Sequence, residues 1–235
     1  FYLSTNVLHV KKDEHFIIHT DRGEIQAKKV VVSSGGLSYQ SIGASGIGYE
    51  IAKSFGHTII TPSPALVGLT LQKEQFWMKE LSGIAFPVSL HVEGKRFSEN
   101  LLFAHKGISG PVVLSGSLYW KKGTITIDFL PHIKEMNVLF KTHAQKQITT
   151  ALGLPKRFTK AFLDAYALED KALSKFTPEE KKRLLTLKNY TFSPAGNFGF
   201  TKAEVTRGGV ETSEVDAKSF ESRLGENLYF IGEVL

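Results

Sequence analysis

Four segments of this chain combine glycine with residues able to steady charge. Val30-Val31-Val32-Ser33-Ser34-Gly35-Gly36 runs an apolar stretch into two glycines, where no Cβ keeps another molecule off the backbone. Ligands of open α/β sheets bind beyond the carboxyl ends of strands, and the same residues would also serve as a plain strand-to-loop exit. Ser41 to Gly48 carries Gly43, Ser45, Gly46 and Gly48 just ahead of a helical pattern. Backbone N–H groups at such a helix start make a cradle for an anion, although a flexible turn would read the same. Neither the dinucleotide fingerprint nor a P-loop is present, because the spacing is wrong and no Gly-Lys-Ser/Thr occurs. In Thr206-Arg207-Gly208-Gly209-Val210, paired glycines beside a cation suit a planar ligand pressed on the backbone, or a hairpin turn. Leu228-Tyr229-Phe230-Ile231-Gly232-Glu233-Val234 again ends an apolar strand in glycine, now followed by an acid.

No side-chain pair has the spacing of a general acid and base. His105 reads as structural, and His57 as a charge or cap at a helix end. Arg207 is the candidate for catalysis, by steadying negative charge. There is no cysteine, which excludes disulfides, thiolate metal sites and a cysteine nucleophile. Acidic residues with metal-ligand spacing are missing, so no metal site is expected. The chain has 235 residues and a net charge of +6, room for one large domain or two modest ones. The densest basic run, Glu179 to Arg183, mixes signs and reads as a solvated helix face rather than a nucleic-acid patch. No apolar stretch is long enough to span a bilayer, and a cytoplasmic location is expected.

Apolar alternation predicts strands over Val7–Val10 and Phe16–His19, with Gly23 closing a tight turn. The β-branched run Lys29–Ser33 predicts a strand buried on both faces, as in a central parallel sheet. Tyr49, Ala52 and Phe55 share one face of a helix that Gly56 ends. Thr61-Pro62-Ser63-Pro64 predicts a stiff linker and a domain boundary. Strands are expected over Leu66–Leu71, Phe86–Val92, Leu101–Ala104 and Thr124–Phe129, with a helix that Ser109 caps and Pro111 opens. Residues 133 to 188 turn helical, with a capped start at Thr177-Pro178-Glu179-Glu180. Strands return from Ala203.

The order of these motifs resembles the HI0933-like or YhiN-like flavoproteins, called BaiN-type reductases where an activity is assigned. Gly35-Gly36-Leu37-Ser38-Tyr39 matches that family's Gly-Gly-Leu-Ser-Tyr. Gly43, Ser45-Gly46 and Gly48-Tyr49 match its second glycine loop, Gly56-His57 its helix end, and Pro64-Ala65-Leu66-Val67 the entry to its inserted domain. Phe103 to Pro111 looks like its Phe-Thr-His-x-Gly-Leu-Ser-Gly-Pro, while Val205–Val210 and Leu228–Leu235 complete the likeness over essentially the whole chain. Two departures stand out: Ser33-Ser34 replaces Ala-Thr, and Ile47 replaces an Asp.

The resemblance implies an α/β plus α+β protein. A partial FAD-binding domain of glutathione-reductase type, residues 1–63 and 199–235, would hold an inserted domain over 64–198. That insert would be a β-barrel-like region to about 130 followed by helices to about 190. It implies a central piece of a longer protein, lacking the first dinucleotide-binding βαβ unit and the segment after Leu235. By family position Val7 would meet the adenine, and Ser34, Gly35 and Gly36 the ADP half. Gly43, Ser45 and Gly46, with Arg207, Gly208 and Gly209, would face the flavin. Gly232 and Glu233 would lie near the ribityl and pyrophosphate. The implied function is hydride transfer through FAD, with NAD(P)H as reductant and an unknown small-molecule substrate. Alternatives are a flavoprotein that modifies RNA, which the basic charge favours, and a scaffold domain. The piece alone is expected neither to hold FAD nor to be active.

Overall fold

The computed structural model describes all 235 residues, Phe1–Leu235. They divide into two compact units: Phe1–Ala65 with Gly199–Leu235, and Leu66–Phe198. No helix is long and apolar enough to cross a membrane.

The first unit opens on an antiparallel meander of β1 (Val7–Lys12), β2 (Phe16–Thr20) and β3 (Gly23–Ala27). The expected turn at Gly23 is there, at φ +126°, and it starts a third strand that its polar sequence, Gly-Glu-Ile-Gln-Ala, conceals. β4 (Val30–Val32) follows, then α1 (Ile47–Ser54). In α1, Tyr49, Ile51 and Ala52 are buried. Gly56, at φ +87°, ends the helix, with His57 N–H donating to the Ala52 carbonyl and Gly56 N–H to that of Lys53. These two bonds satisfy carbonyls that the last turn would otherwise leave bare.

The expected linker is instead part of a strand. β5 (Ile59–Ala65) includes both prolines, and it pairs along one edge only. A proline lacks its N–H, so an edge strand tolerates it where a central one would not.

The second unit is built on a seven-stranded antiparallel sheet. Its strands in chain order are β6 (Leu69–Thr70), β7 (Ala85–Val92), β8 (Lys95–Ala104), β9 (Gly107–Ser109), β10 (Ile125–Asp128), β11 (Tyr190–Phe192) and β12 (Gly196–Asn197). Their order across the sheet is β11-β10-β7-β8-β9-β6-β12. A helix α2 (Pro111–Ser117) has Pro111 in its first turn. Ser109 does not cap it: the N-cap is Gly110 at φ +89°, and Ser109 belongs to β9. A Cβ at Gly110 would come within 2.7 Å of the β8 backbone, so close packing, not capping, sets that residue.

Four more helices follow in this unit: α3 (Met136–Thr142), α4 (Ile148–Ala151), α5 (Lys156–Ala165) and α6 (Pro178–Leu185). At α6 the Thr177 hydroxyl accepts from Glu180 N–H while the Glu180 carboxylate accepts from Thr177 N–H, the reciprocal cap that the sequence predicts. Phe158 of α5 is fully buried at the centre. Its ring lies 4.9 Å from those of Phe86 and Phe129 and 5.7 Å from that of Phe103. Lys188 ties strand to helices: its ammonium donates to Asp128 Oδ2 and to the Leu130 and Ile133 carbonyls, each at 2.7 Å.

The chain then returns to the first unit as β13 (Val205–Val210), antiparallel to β5, and β14 (Leu228–Phe230), parallel to β4. β4 is not buried on both faces. Val30 and Val32 are buried while Val31 is 54% exposed, because β14 is its one neighbour and a single face meets α1 and the meander.

Replacing Phe158 by alanine should cost the second unit about 3–5 kcal/mol, since five aromatic rings lose their common neighbour. Chemical denaturation followed by tryptophan fluorescence would measure it, because the Trp77 ring lies 5.8 Å from that of Phe158.

Candidate functional site

The glycine segments of the first unit converge on Thr206. Its hydroxyl accepts from Leu37 N–H at 2.8 Å and Ser38 N–H at 3.0 Å, and it lies 3.2 Å from the Ser38 hydroxyl. The Thr206 N–H donates to Glu233 Oε1 at 2.5 Å. The loop after β4, the strand β13 and the turn after β14 are thereby held together through one residue. Sequence reading passed over Thr206 and Ser38 as partners. The available signal was a hydroxyl immediately ahead of Arg-Gly-Gly.

The glycines differ in what an added side chain would meet. A Cβ at Gly36 would collide with the Thr206 side chain, and one at Gly48 with Ser34 Oγ and Val234. At Gly208 it would sit 2.8 Å from the Thr61 carbonyl, and at Gly209 2.5 Å from that of Val234. Packing alone demands glycine at these four positions. Gly43 (φ +106°) and Gly232 (φ +76°) differ, for nothing lies within 4 Å of their missing side chains. Their backbone is bare to an approaching group. Gly35 packs at 3.5 Å on the Ala44 Cβ, which brings the two glycine loops into contact, and Gly46 is the N-cap of α1.

The other expected residues fall as follows. Val7 and Ser34 share the rim of a cavity of about 270 Å³. Ser45 is exposed in the second glycine loop. Arg207 donates from Nε to Ser63 Oγ at 3.2 Å. Beside these loops lies a larger hollow of about 460 Å³, walled by Leu37, Tyr39, Gln40 and Ser41 on one side and Phe200 to Glu204 on the other. Tyr39 holds a left-handed backbone (φ +56°) and is half-exposed there. Strain of that kind costs about 1–3 kcal/mol and concentrates at functional sites.

One buried polar atom has no partner within the unit. The Tyr49 hydroxyl is enclosed and makes no hydrogen bond. Burial, and then the negative charge of Glu233, push its pKa upward, so it stays a neutral donor. A bare glycine backbone at 43 and 232 and an orphaned donor suit an elongated, oxygen-rich group such as FAD.

His57 takes a role the helix-end reading missed. Its ring is buried between Glu214 Oε2, 3.1 Å from Nδ1, and Ser222 Oγ, 2.7 Å from Nε2. Ser222 Oγ already accepts from Leu224 and Gly225 N–H, so it donates to Nε2, and Nδ1–H donates to Glu214. The order acid, imidazole, hydroxyl mimics a hydrolase triad, but the hydroxyl is buried and spent on loop amides. The trio is a tether. His105 is exposed at the β8–β9 turn of the other unit. No group of three or more His, Asp or Glu side chains could hold a metal.

Two outcomes test this arrangement. Thr206→Val should destabilise the first unit by about 2–3 kcal/mol, because two loop N–H groups lose their acceptor, whereas Thr206→Ser should retain most of the stability; urea titrations of both would show it. Backbone and hydroxyl donation from Thr58 holds the Glu214 carboxyl below its ordinary 4.5. Its stabilisation is therefore full above that value and lost as pH falls through the lower folded one. Thermal melts below pH 4.5 should show this loss, and Glu214→Gln should flatten it.

Comparison with known proteins follows the same lines. The family model described as the HI0933-like protein barrel and H2TH domain matches residues 63–205. The chain is 36% identical over 245 residues to the ribosomal RNA dihydrouridine synthase of Escherichia coli, covering all of this chain and 61% of that protein. It is 35% identical over 241 residues to the enzyme of the same name from Haemophilus influenzae, covering 98% and 60%. A 3-dehydro-bile acid delta(4,6)-reductase of Clostridium scindens is 29% identical over 242 residues, covering 94% and 59%. The chain thus spans about three fifths of the length of these curated relatives.

Proposed function

This chain belongs to the HI0933-like family, and from that premise we propose that it forms part of an FAD-dependent oxidoreductase that reduces uridine in ribosomal RNA, with NAD(P)H as electron donor. The observation that carries the reading is the 35–36% identity, over 98–100% of this chain, to two proteins named ribosomal RNA dihydrouridine synthase. The bare backbone at Gly43 and Gly232 and the unpartnered Tyr49 hydroxyl support a flavin in the first unit.

When bound, FAD supplies the hydride chemistry. The protein's part is to orient and to stabilise charge. The N–H groups of the Gly43–Gly46 loop and the turn at Gly232 would meet the cofactor's polar edge, and Tyr49 would donate to it. Arg207, braced by Ser63, would offset negative charge on the reduced ring or the substrate. Glu233 works as a positioning residue, since its carboxylate is engaged by Thr206 N–H. The hollow between Tyr39 and Phe200 has aromatic walls and room for a planar base.

The test uses the full-length protein. Purified material should show flavin absorbance and, given NADPH or NADH and protein-free ribosomal RNA, should yield dihydrouridine on nucleoside mass spectrometry. A protein without flavin absorbance even after added FAD overturns the cofactor reading. A flavoprotein that leaves RNA unchanged yet oxidises NAD(P)H with a small conjugated enone would support the chemistry that the bile acid reductase's name describes.

A further inference from the structure

The chain's positive charge is not spread over its surface. Residues 132–188 hold twelve lysines and arginines against six acids, a balance of +6 that equals that of the whole chain. The remaining residues carry seventeen charges of each sign and sum to zero. Residues 132–188 carry helices α3 to α6 of the second unit.

Several of these cations have structural duties. Lys171 pairs with Glu180, Lys188 is held by Asp128 and two carbonyls, and Arg183 donates to the Tyr166 and Ala167 carbonyls. Lys146, Lys156 and Lys160 are different. They are exposed, and none takes part in an ion pair. Lys156 and Lys160 stand one turn apart on α5 and line a surface hollow of about 480 Å³. Its opposite wall is Gln147, Thr149 and Thr150, the segment that begins beside Lys146. Asp164 and Asp170 also line the hollow, but Asp170 is turned to the Thr149 hydroxyl at 2.9 Å. Asp164 stands one turn from Lys160, so the hollow itself carries two cations and two acids. The surplus comes from Lys146, next to Gln147, and from the +6 balance of residues 132–188, and such a surplus fits a polyanion that neutralises it.

We propose that the α4–α5 face of the second unit, through Lys146, Lys156 and Lys160, grips the phosphate backbone of RNA. The inference rests on the RNA-directed reading above and adds where the nucleic acid is held. Such contacts position an RNA without reading its sequence, so selection of the reacting base falls to the other unit.

The experiment measures binding of the full-length, FAD-loaded protein to protein-free ribosomal RNA and to a 20-base-pair RNA duplex of unrelated sequence, across a salt series. A triple Lys146→Gln, Lys156→Gln, Lys160→Gln variant should bind both at least ~10-fold more weakly near 0.15 M salt. Its log–log salt slope should be shallower by about 2, the share of three lost phosphate contacts. Flavin content and thermal stability should be unchanged, which separates lost contact from lost folding. The same three neutralisations at exposed Lys106, Lys121 and Lys122 should have little effect. Equal losses from both triples, or none from the first, overturn the proposal. Dihydrouridine formation is read separately. RNA product with unchanged binding would sink this inference and keep the functional reading, and lysine-dependent binding without product would do the reverse.

Discussion

Everything in the first unit hangs on a threonine that has no room to move. Thr206 is the acceptor for two successive loop amides and the donor to Glu233, and Gly36 must lack a side chain for it to fit. Each bond is worth only about 1 kcal/mol net. Their combined effect is geometric, since they fix the glycine loop, the Arg-Gly-Gly strand and the Gly232 turn in one register.

The two units solve the problem of buried polarity differently. In the first, the His57 ring is buried and both its nitrogens are matched, by the partly exposed Glu214 carboxylate and by Ser222, so the end of α1 is pinned to the 214–222 segment. In the second, a large aromatic core does most of the work. Its polar ties are few: Lys188 reaches three oxygens near the end of β10, and the buried Tyr190 hydroxyl accepts from Trp77 at 3.2 Å. Burial pushes the Tyr190 pKa far up and keeps it neutral. A unit stabilised by apolar packing can leave its outer helices free to carry surplus charge.

Much of the secondary structure was legible because local patterns and tertiary packing agree. The reciprocal cap at Thr177 and Glu180, the glycine stop at Gly56 and the strands at Phe86–Val92 and Ile125–Asp128 all follow from rules that act within a few residues. The failures share a cause as well. Thr61–Pro64 reads as a linker because proline resists central strands, yet edge pairing with β13 tolerates it. Ser109 reads as a cap, but the close approach of β8 places Gly110 there instead. The Lys29–Ser33 run suggests burial on both sides, whereas the neighbours present cover only one.

Taken alone, the sequence determined the motif order, the lack of cysteine and the positions where glycine is required, since residue type and spacing are local properties. It could not say why each glycine is there. At 36, 48, 208 and 209 the reason is a neighbouring atom from another segment, and at 43 and 232 it is a left-handed backbone, φ +106° and +76°, with open space around it. Only the tertiary structure decided between those cases, because a missing Cβ acquires meaning from what would have touched it. Charge divides differently: the confinement of the +6 to residues 132–188 is already a property of the sequence, and the fold decides only which of those cations stay exposed and unpaired.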